Sequence, residues 1–449
     1  LNRKAIFKKI STERIKGTAA IERKITLSAI DHFEVFFFIE IVYFFSETLD
    51  AEALKSSLSK VLDLFPILCG QLQKEPNGTL SIQKTTAGVS FTVCECSREL
   101  PEPSNDTLSK YNACLFIERL NPFNLTRQNC PLATFKLTRL AGGGCALGIS
   151  MAHALTDGHG FFNFLRSWSQ LHNGQPHTKP FFDRRLVNPE IASLKTFSDS
   201  CLDLPERYNG FKYLSLAGLV KFLTKVVFNM NNILTSTTHF TESQLNAIKN
   251  EGSKNSRISL NDALSSHLWK CYSSLIGLEG EKKQHLLLPT NIRSLTDHPS
   301  AENYFGNAVS HILLEKNACE ITGSSVADMA QEWRKTVHEI DNNYVKNQMQ
   351  WLKRHEERKK LYRVLADINL FNGDLFITNF SKFPVCSVSF NSSKPFRTEI
   401  PLIPIPGIFF LLPAPAGKGI NLCAHLPKSL TTKLMLEKFH TKLYKYGEL

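Results

Sequence analysis

Within SMAHALTDGHG, from Ser150 to Gly160, His153 and Asp157 stand four residues apart, followed by Gly158 and Gly160. A neutral imidazole can take a proton from a hydroxyl or amine as that group attacks a carbonyl. The carboxylate four residues on has two possible jobs. It can orient the ring, as in a Ser-His-Asp triad, or it can hold the turn by pairing with a cation elsewhere. The glycine after it marks a tight turn that aims the carboxylate away from the ring, which favours the second job. Spacing alone is weak evidence: with fourteen histidines, roughly half an HxxxD match arises by chance. Context strengthens it. The apolar run CALGIS precedes the motif and the aromatic run FFNFLRSWSQL follows it. A histidine at a strand end, just before a turn into a helix, is rigidly held and can face a cleft.

Other chemistries fit poorly. His153 and His159 are six apart and no HExxH occurs, so no metal site is expected. GxSxG is absent. Cys145 lies in an apolar strand and reads as packing rather than as a nucleophile. Gly142, Gly143 and Gly144 lack the GxxxxGK[ST] pattern of a phosphate loop and read as a hairpin turn. The eleven cysteines are scattered, with Cys94 and Cys96 the only close pair, and no second pair completes a zinc site. Free thiols imply a reducing compartment, and the cytoplasm is expected. A net charge of +12 suits anionic partners such as phosphorylated small molecules or a membrane surface. The cations are dispersed, clusters such as Lys353–Lys360 are of mixed sign, and no nucleic-acid module appears. The first residues are basic without the apolar core of a signal peptide. The run HFEVFFFIEIVYFF contains Glu34 and Glu40 and falls short of the ~20 apolar residues a membrane span needs.

The chain of 449 residues is too long for one ordinary core. Thr26 to Phe45 reads as strands. Asp50 is placed to cap a helix carrying Leu54, Leu58, Val61 and Leu62 on one face, stopped by Pro66. Gly78 to Val93 reads as a hairpin, and Pro131–Arg139 with Cys145–Ser150 as neighbouring strands. Roughly 175 to 230 reads as an extended linker. Thr241 and Gln244 form a capping box, and Ser259 or Asn261 opens a further helix. Ser324–Arg363 reads as a long polar helical stretch and Pro427–Lys445 as a terminal helix. Strands and helices alternate in both halves, which gives two α/β domains. The expected division is 1–175, a crossover linker 176–230, and 231–449.

Several segments, in order, carry a resemblance that extends over nearly the whole chain. They are TLSAIDHF (Thr26–Phe33), LKSSLSKVLDLFPILCGQL (Leu54–Leu72), HALTDG, PFFDRRL (Pro180–Leu186), FTESQLNAIK, ISLNDALSSHLWK and NYFGNAV (Asn303–Val309). With these the chain resembles the BAHD acyltransferases, which move an acyl group from coenzyme A to an alcohol or amine.

The resemblance implies two similar-sized domains with mixed sheets flanked by helices, chloramphenicol-acetyltransferase-like, and a channel at their interface. It implies a monomer that binds no permanent cofactor, takes acyl-CoA as co-substrate, and acts on a small-molecule acceptor. His153 becomes the general base. Asp157 becomes structural support, paired with Arg293, while Asn291 stands where the family usually has Asp. Asn307 closes the YFGN segment as a structural residue. The family's "TSW" segment aligns with Thr378-Asn379-Phe380, making Thr378 a candidate oxyanion donor. Lys249, Lys254, Arg257 and Ser259 fall where the coenzyme is expected. The chain departs from the family at DFGWG, where it has Ser389-Phe390-Asn391-Ser392-Ser393. The Asp, both Gly and the Trp are replaced, and Asn391 is left as the residue that tolerates positive φ. This departure motivates an alternative: a catalytically weakened relative that binds a ligand or partner. A condensation-type domain would carry a second His directly before the first, and Ala152 occupies that place.

Overall fold

Two mixed β-sheets, each covered by helices, carry the chain, and each half lends one strand to the other's sheet. The computed structural model describes residues 6–444 apart from 20–23, 84, 86, 103–106, 109–111, 188–204, 255, 416, 435 and 437–440. The first sheet runs Phe7–Ile15, Val89–Cys96, Ala133–Leu140, Cys145–Ala152, Phe38–Phe45 and Arg397–Glu399. The second runs Val309–Asn317, Lys283–Asn291, Leu375–Asn379, Ile408–Pro413, Ile420–Pro427, Ile233–Phe240 and Thr107–Leu108. Thus Arg397–Glu399, late in the chain, pairs with Phe38–Phe45, and Thr107–Leu108 pairs with Ile233–Phe240. Parallel pairs sit inside both sheets, Val89–Cys96 with Ala133–Leu140 and Leu375–Asn379 with Ile408–Pro413. This is the α/β, two-domain, mixed-sheet class expected.

Cys145–Ala152 is buried along its whole length. It is a continuous apolar run because both faces are covered, as central strands of layered α/β sheets are. Helices Ala51–Leu64 and Gly158–His172 contribute to one core through Leu54, Leu58, Leu62, Phe161, Leu165 and Trp168. Asp50 accepts from the N–H groups of Glu52 and Ala53 at 2.9 and 3.3 Å, which satisfies donors the first turn leaves free. The two cores share members across the halves. Phe305, Val388 and Phe390 pack in the first, and Ile30, Phe33 and Leu186 in the second.

Four expected elements differ. Thr26–Phe45 is not all strand: Ala29–Phe33 is a short helix, followed by a 3-10 turn and then Phe38–Phe45. Ser28 and Asp31 exchange a capping box, and this local bonding overrides the β-propensity of the aromatic residues. Gly78–Val93 is split. Leu80–Gln83 pairs with Gln71–Lys74 around Pro76–Gly78, whereas Val89–Cys96 joins the large sheet. The long helical stretch breaks into Val326–His338 and Asn342–Glu357, because the Asp341 carboxylate caps the N–H of Tyr344 at 2.7 Å and starts a new helix. The extended linker is partly folded: Arg207–Tyr208 and Phe211–Tyr213 form a small sheet with Val364–Ala366, and Leu216–Asn229 is a helix. Its segment 188–204, and 435, 437–440 and 445 of the terminal helix, lie outside the described residues. That helix is described over Lys428–Leu434.

Candidate active site

Where Cys145–Ala152 ends, His153–Leu155 form one 3-10 turn and Asp157 caps the helix Gly158–His172. The His153 N–H donates to the Phe37 carbonyl at 3.0 Å, and the His153 carbonyl accepts from Thr156 at 3.2 Å. The histidine backbone is therefore clamped to the neighbouring strand. Gly160 is required by contact: a Cβ there would lie 2.0 Å from Thr156 Oγ1.

Asp157 points away from the ring. Its Oδ2 accepts from Arg293 Nη1 at 2.8 Å and from the Ala308 N–H at 2.9 Å, and its Oδ1 accepts from Arg293 Nη2 at 2.9 Å and from the Gly160 N–H at 3.0 Å. Arg293, only 1 % exposed, also donates to the carbonyls of Tyr304 and Gly306. Asn291 Oδ1 accepts from the Arg293 backbone N–H at 3.0 Å and from Nη1 at 3.2 Å, so an amide oxygen serves where the family usually has a carboxylate. Burial pushes the Asp157 carboxyl up. The Arg293 charge and hydrogen bonds, with the Ala308 and Gly160 amides, outweigh that and hold it below the usual carboxylate range.

Asn307 fixes the ring itself. Its Nδ2 donates to Asp31 Oδ1 at 2.8 Å and to the His153 carbonyl at 2.9 Å. With both partners acceptors, the amide orientation is set, and Oδ1 is the atom 3.1 Å from His153 Nδ1. An amide oxygen can only accept. Nδ1 must therefore carry the proton, which leaves the Nε2 lone pair free. The imidazole keeps 23 % of its side-chain surface exposed. Glu34 Oε2 lies 3.9 Å from Nδ1, beyond hydrogen-bond distance but close enough to matter electrostatically. Burial raises the Glu34 carboxyl above its ordinary value, His153 opposes the shift, and Asp31 and Asp157 add to it.

Three residues of this network were not singled out in the sequence: Asp31, Glu34 and Arg184. Asp31 is fully buried and its Oδ2 lies 3.0 Å from Arg184 Nε. Arg184 also donates to the carbonyls of Phe305 and Leu155. The available signals were polar residues inside apolar segments, Asp31 in TLSAIDHF and Arg184 in PFFDRRL.

None of the remaining candidates is hydrogen-bonded to the histidine. Thr378 is almost covered, in the strand Leu375–Asn379. The strand end reaches the helix Gly158–His172 through Phe380, whose ring is 5.4 Å from that of Phe162. Lys249, Lys254 and Arg257 are exposed around the turn between the helices Glu242–Gly252 and Leu260–Ile276. Lys254 pairs with Glu251 at 2.5 Å, and the Ser259 hydroxyl caps the second helix by accepting from Asp262 at 3.2 Å. Asn379 Nδ2 donates to Asn261 Oδ1 at 2.6 Å, linking that turn to the Thr378 strand. Two small pockets, one beside Leu268 and Phe409 and one beside Phe65 and Asn163, do not touch His153. The Cys145 thiol, pushed up to about 11 by burial, donates to the Glu47 carbonyl. Among the described residues no group of three or more His, Cys, Asp or Glu is arranged to hold a metal ion.

The altered stretch is anchored by the buried Phe390, with Asn391 and Ser392 exposed. Asn391 takes the left-handed conformation (φ 56°). Phe390 lies 4.9 Å from the Trp168 ring, and the Ser389 carbonyl accepts from Ser169 Oγ and Asn173 Nδ2.

The chain matches the family model described as "Transferase family" over residues 7–441. A hydroxycinnamoyltransferase of Narcissus pseudonarcissus is 24 % identical over 390 residues, covering 84 % of this chain and 86 % of that protein. A shikimate O-hydroxycinnamoyltransferase of Nicotiana tabacum is 24 % identical over 415 residues, covering 90 % of each. Among solved structures, vinorine synthase superposes with a TM-score of 0.70 at 16 % identity, covering 99 % of both chains. F. graminearum TRI101, complexed with coenzyme A and deoxynivalenol, gives 0.73 at 15 % identity, covering 95 % of this chain and 99 % of that one. With the family model spanning almost the entire sequence, the chain belongs to the BAHD acyltransferase family.

Proposed function

We propose that the protein transfers an acyl group from an acyl-CoA thioester to a hydroxyl or amine of a small molecule, with His153 Nε2 as general base. The observation that carries this is the contact of His153 Nδ1 with Asn307 Oδ1 at 3.1 Å, which selects the neutral tautomer whose Nε2 lone pair is free, on a part-exposed ring. Nε2 takes the proton from the acceptor O–H or N–H as that atom attacks the thioester carbon. The tetrahedral intermediate collapses and breaks the C–S bond. The thiolate leaves and takes the proton back from Nε2, giving ester or amide and free thiol. Positive charge on the imidazolium develops 3.9 Å from Glu34, whose burial strengthens the attraction.

The finer assignments belong to the same proposal. Thr378 donates to the oxyanion; Lys249, Lys254, Arg257 and Ser259 receive the coenzyme phosphates; the domains divide at 175 and 231; and the protein is a cytoplasmic monomer. Several relatives bear hydroxycinnamoyl names, and Phe36 and Phe37 are exposed beside the His153 turn. A hydroxycinnamoyl-CoA is therefore the first donor to test. The experiment is an acyl-CoA panel with mixed alcohol and amine acceptors, followed by free-thiol release. His153→Ala should abolish release with fold and coenzyme binding retained, and wild-type-like turnover in that variant would overturn the mechanism. The departure at Ser389–Ser393 motivates a second reading, a relative that binds without transferring. Normal folding with no release from any donor would favour it.

A further inference from the structure

The helix Leu216–Asn229 presents its apolar residues to solvent. Leu216, Val220, Leu223 and Val227 recur at the i, i+4, i+7, i+11 spacing of one helical face. In a surface helix that face normally meets the core. Here these residues are exposed, Val220 by 63 % and Val227 by 65 %, and Phe228 beside them by 80 %. No residue of the helix is buried. The opposite side rests on the protein through Phe222, whose ring lies 6.1 Å from that of Phe371. The hydroxyl of Thr224, at the stripe's edge, donates to the Val220 carbonyl at 2.8 Å, so the helix itself satisfies that polar group. These four side chains on one face form a contiguous exposed apolar strip.

We infer that this helix lies flat on an anionic phospholipid surface. The charges around it support this. The helix carries Lys221 and Lys225 and no acid. Its N-terminal end is tied to the loop after Glu357, where the Leu214 N–H donates to the Arg363 carbonyl at 2.9 Å and Arg363 Nε donates to the Leu214 carbonyl at 2.7 Å. That loop exposes Arg358, Lys359 and Lys360 against a single acid, Glu357. Lys221 is exposed, whereas the Lys225 ammonium turns back over the Phe371 ring at 5.7 Å. An acid-free apolar stripe with a cationic loop at its N-terminal end is the pattern of an interfacial helix, the loop cations reaching the headgroups while the stripe enters the acyl boundary. The helix is too short to cross a bilayer: 14 residues rise about 21 Å against a core of about 30 Å. Size argues against a second copy as the occupant. A strip of about 21 by 10 Å is on the order of 200 Å², whereas a stable interface buries about 800 Å² per partner. The inference does not depend on the acyltransfer reading.

The test is flotation of the full-length protein with vesicles of phosphatidylcholine alone and with about a third phosphatidylserine. The protein should float with the anionic vesicles, at least tenfold more weakly with neutral ones, and lose binding in high salt. Leu223→Glu with Val227→Glu should lower vesicle binding tenfold or more, and Lys221→Glu with Arg358→Glu should remove the preference for anionic lipid. Both pairs are exposed, and circular dichroism and thiol release should match wild type. Failure of the wild type to float, or unchanged binding in the first double variant, would overturn the inference. So would a concentration-dependent dimer in sedimentation velocity that this variant dissolves.

Discussion

Replacing Asn307 with Leu tests whether the amide selects the working tautomer of His153. The side chain keeps roughly its volume but loses Oδ1, which accepts from His153 Nδ1 at 3.1 Å, and Nδ2, which donates to Asp31 and to the His153 carbonyl. A neutral hydrogen bond of this kind is worth about 0.5–1.5 kcal/mol net, which amounts to about a 2- to 13-fold bias between tautomers. The ring then samples the form with its proton on Nε2, where it cannot act as a base, and loses part of its orientation. Equal tautomers would lower the working form by at most about twofold. With part of the orientation also lost, we expect kcat to fall about two- to tenfold, with KM for acyl-CoA within about twofold. Stability should fall by about 1–3 kcal/mol, held to that range because Asp31 keeps the Asn307 backbone N–H and Arg184. Loss of fold alone would also lower activity, so the deciding measurement is the tautomer. In protein labelled with ¹⁵N-histidine, the His153 signals are assigned by their absence in His153→Ala. In wild type the protonated-type shift should belong to Nδ1, and in Asn307→Leu the two nitrogens should approach an average. A variant that keeps the Nδ1–H form and full kcat while melting earlier would refute the positioning argument and leave Asn307 a purely structural residue.

Removing one side of the buried Asp157–Arg293 pair by Arg293→Met should cost about 3–5 kcal/mol in chemical unfolding, and adding Asp157→Leu should recover part of it. An additive double variant would mean the pair is not coupled. His311 is fully buried and held at about 4, by burial first and the nearby His153 second, against about 6.5 when unfolded. Its neutral ring therefore stabilises the fold above about pH 6.5 and loses that contribution as pH falls toward 4. His311→Phe should remove about 2–3 kcal/mol of the acid sensitivity between pH 7.5 and 4.5, read from urea midpoints at each pH, and an unchanged slope would contradict it. Gly148→Ala places a Cβ 1.9 Å from the Phe116 carbonyl oxygen. Strand backbone would have to move, so a loss of about 3 kcal/mol is expected, and a wild-type melting temperature would show that the strand accommodates it.

How far the chain could be read depended on the range of the forces involved. Helix starts were legible because capping is local: Asp50, Thr241 and Ser259 each bond within three residues. The same locality explains the misreading at Ala29–Phe33, where Ser28 and Asp31 carry a capping box inside a segment whose aromatic content reads as strand. Strand partners were not legible. Val89–Cys96 leaves its apparent hairpin for a parallel partner more than forty residues on, and Arg397–Glu399 crosses to the other half's sheet. Such pairings are decided by packing that no short window contains. In the candidate site, HALTDG, TLSAIDHF, PFFDRRL, the Asn291–Arg293 segment and NYFGN are unrelated strings in the chain, yet they form one polar network. Asp157 holds Arg293, Asn307 holds His153 and Asp31, and Asp31 holds Arg184, which returns to the carbonyl of Leu155. Asp31, Asp157, Arg184, Arg293 and Asn307 are buried, and each would be costly alone. That cost is why they occur as a set, and why the proposed general base could be named from its motif while Asp31, Glu34 and Arg184 could not. A single histidine declares its chemistry by type, whereas a positioning residue declares itself only through the partner it reaches.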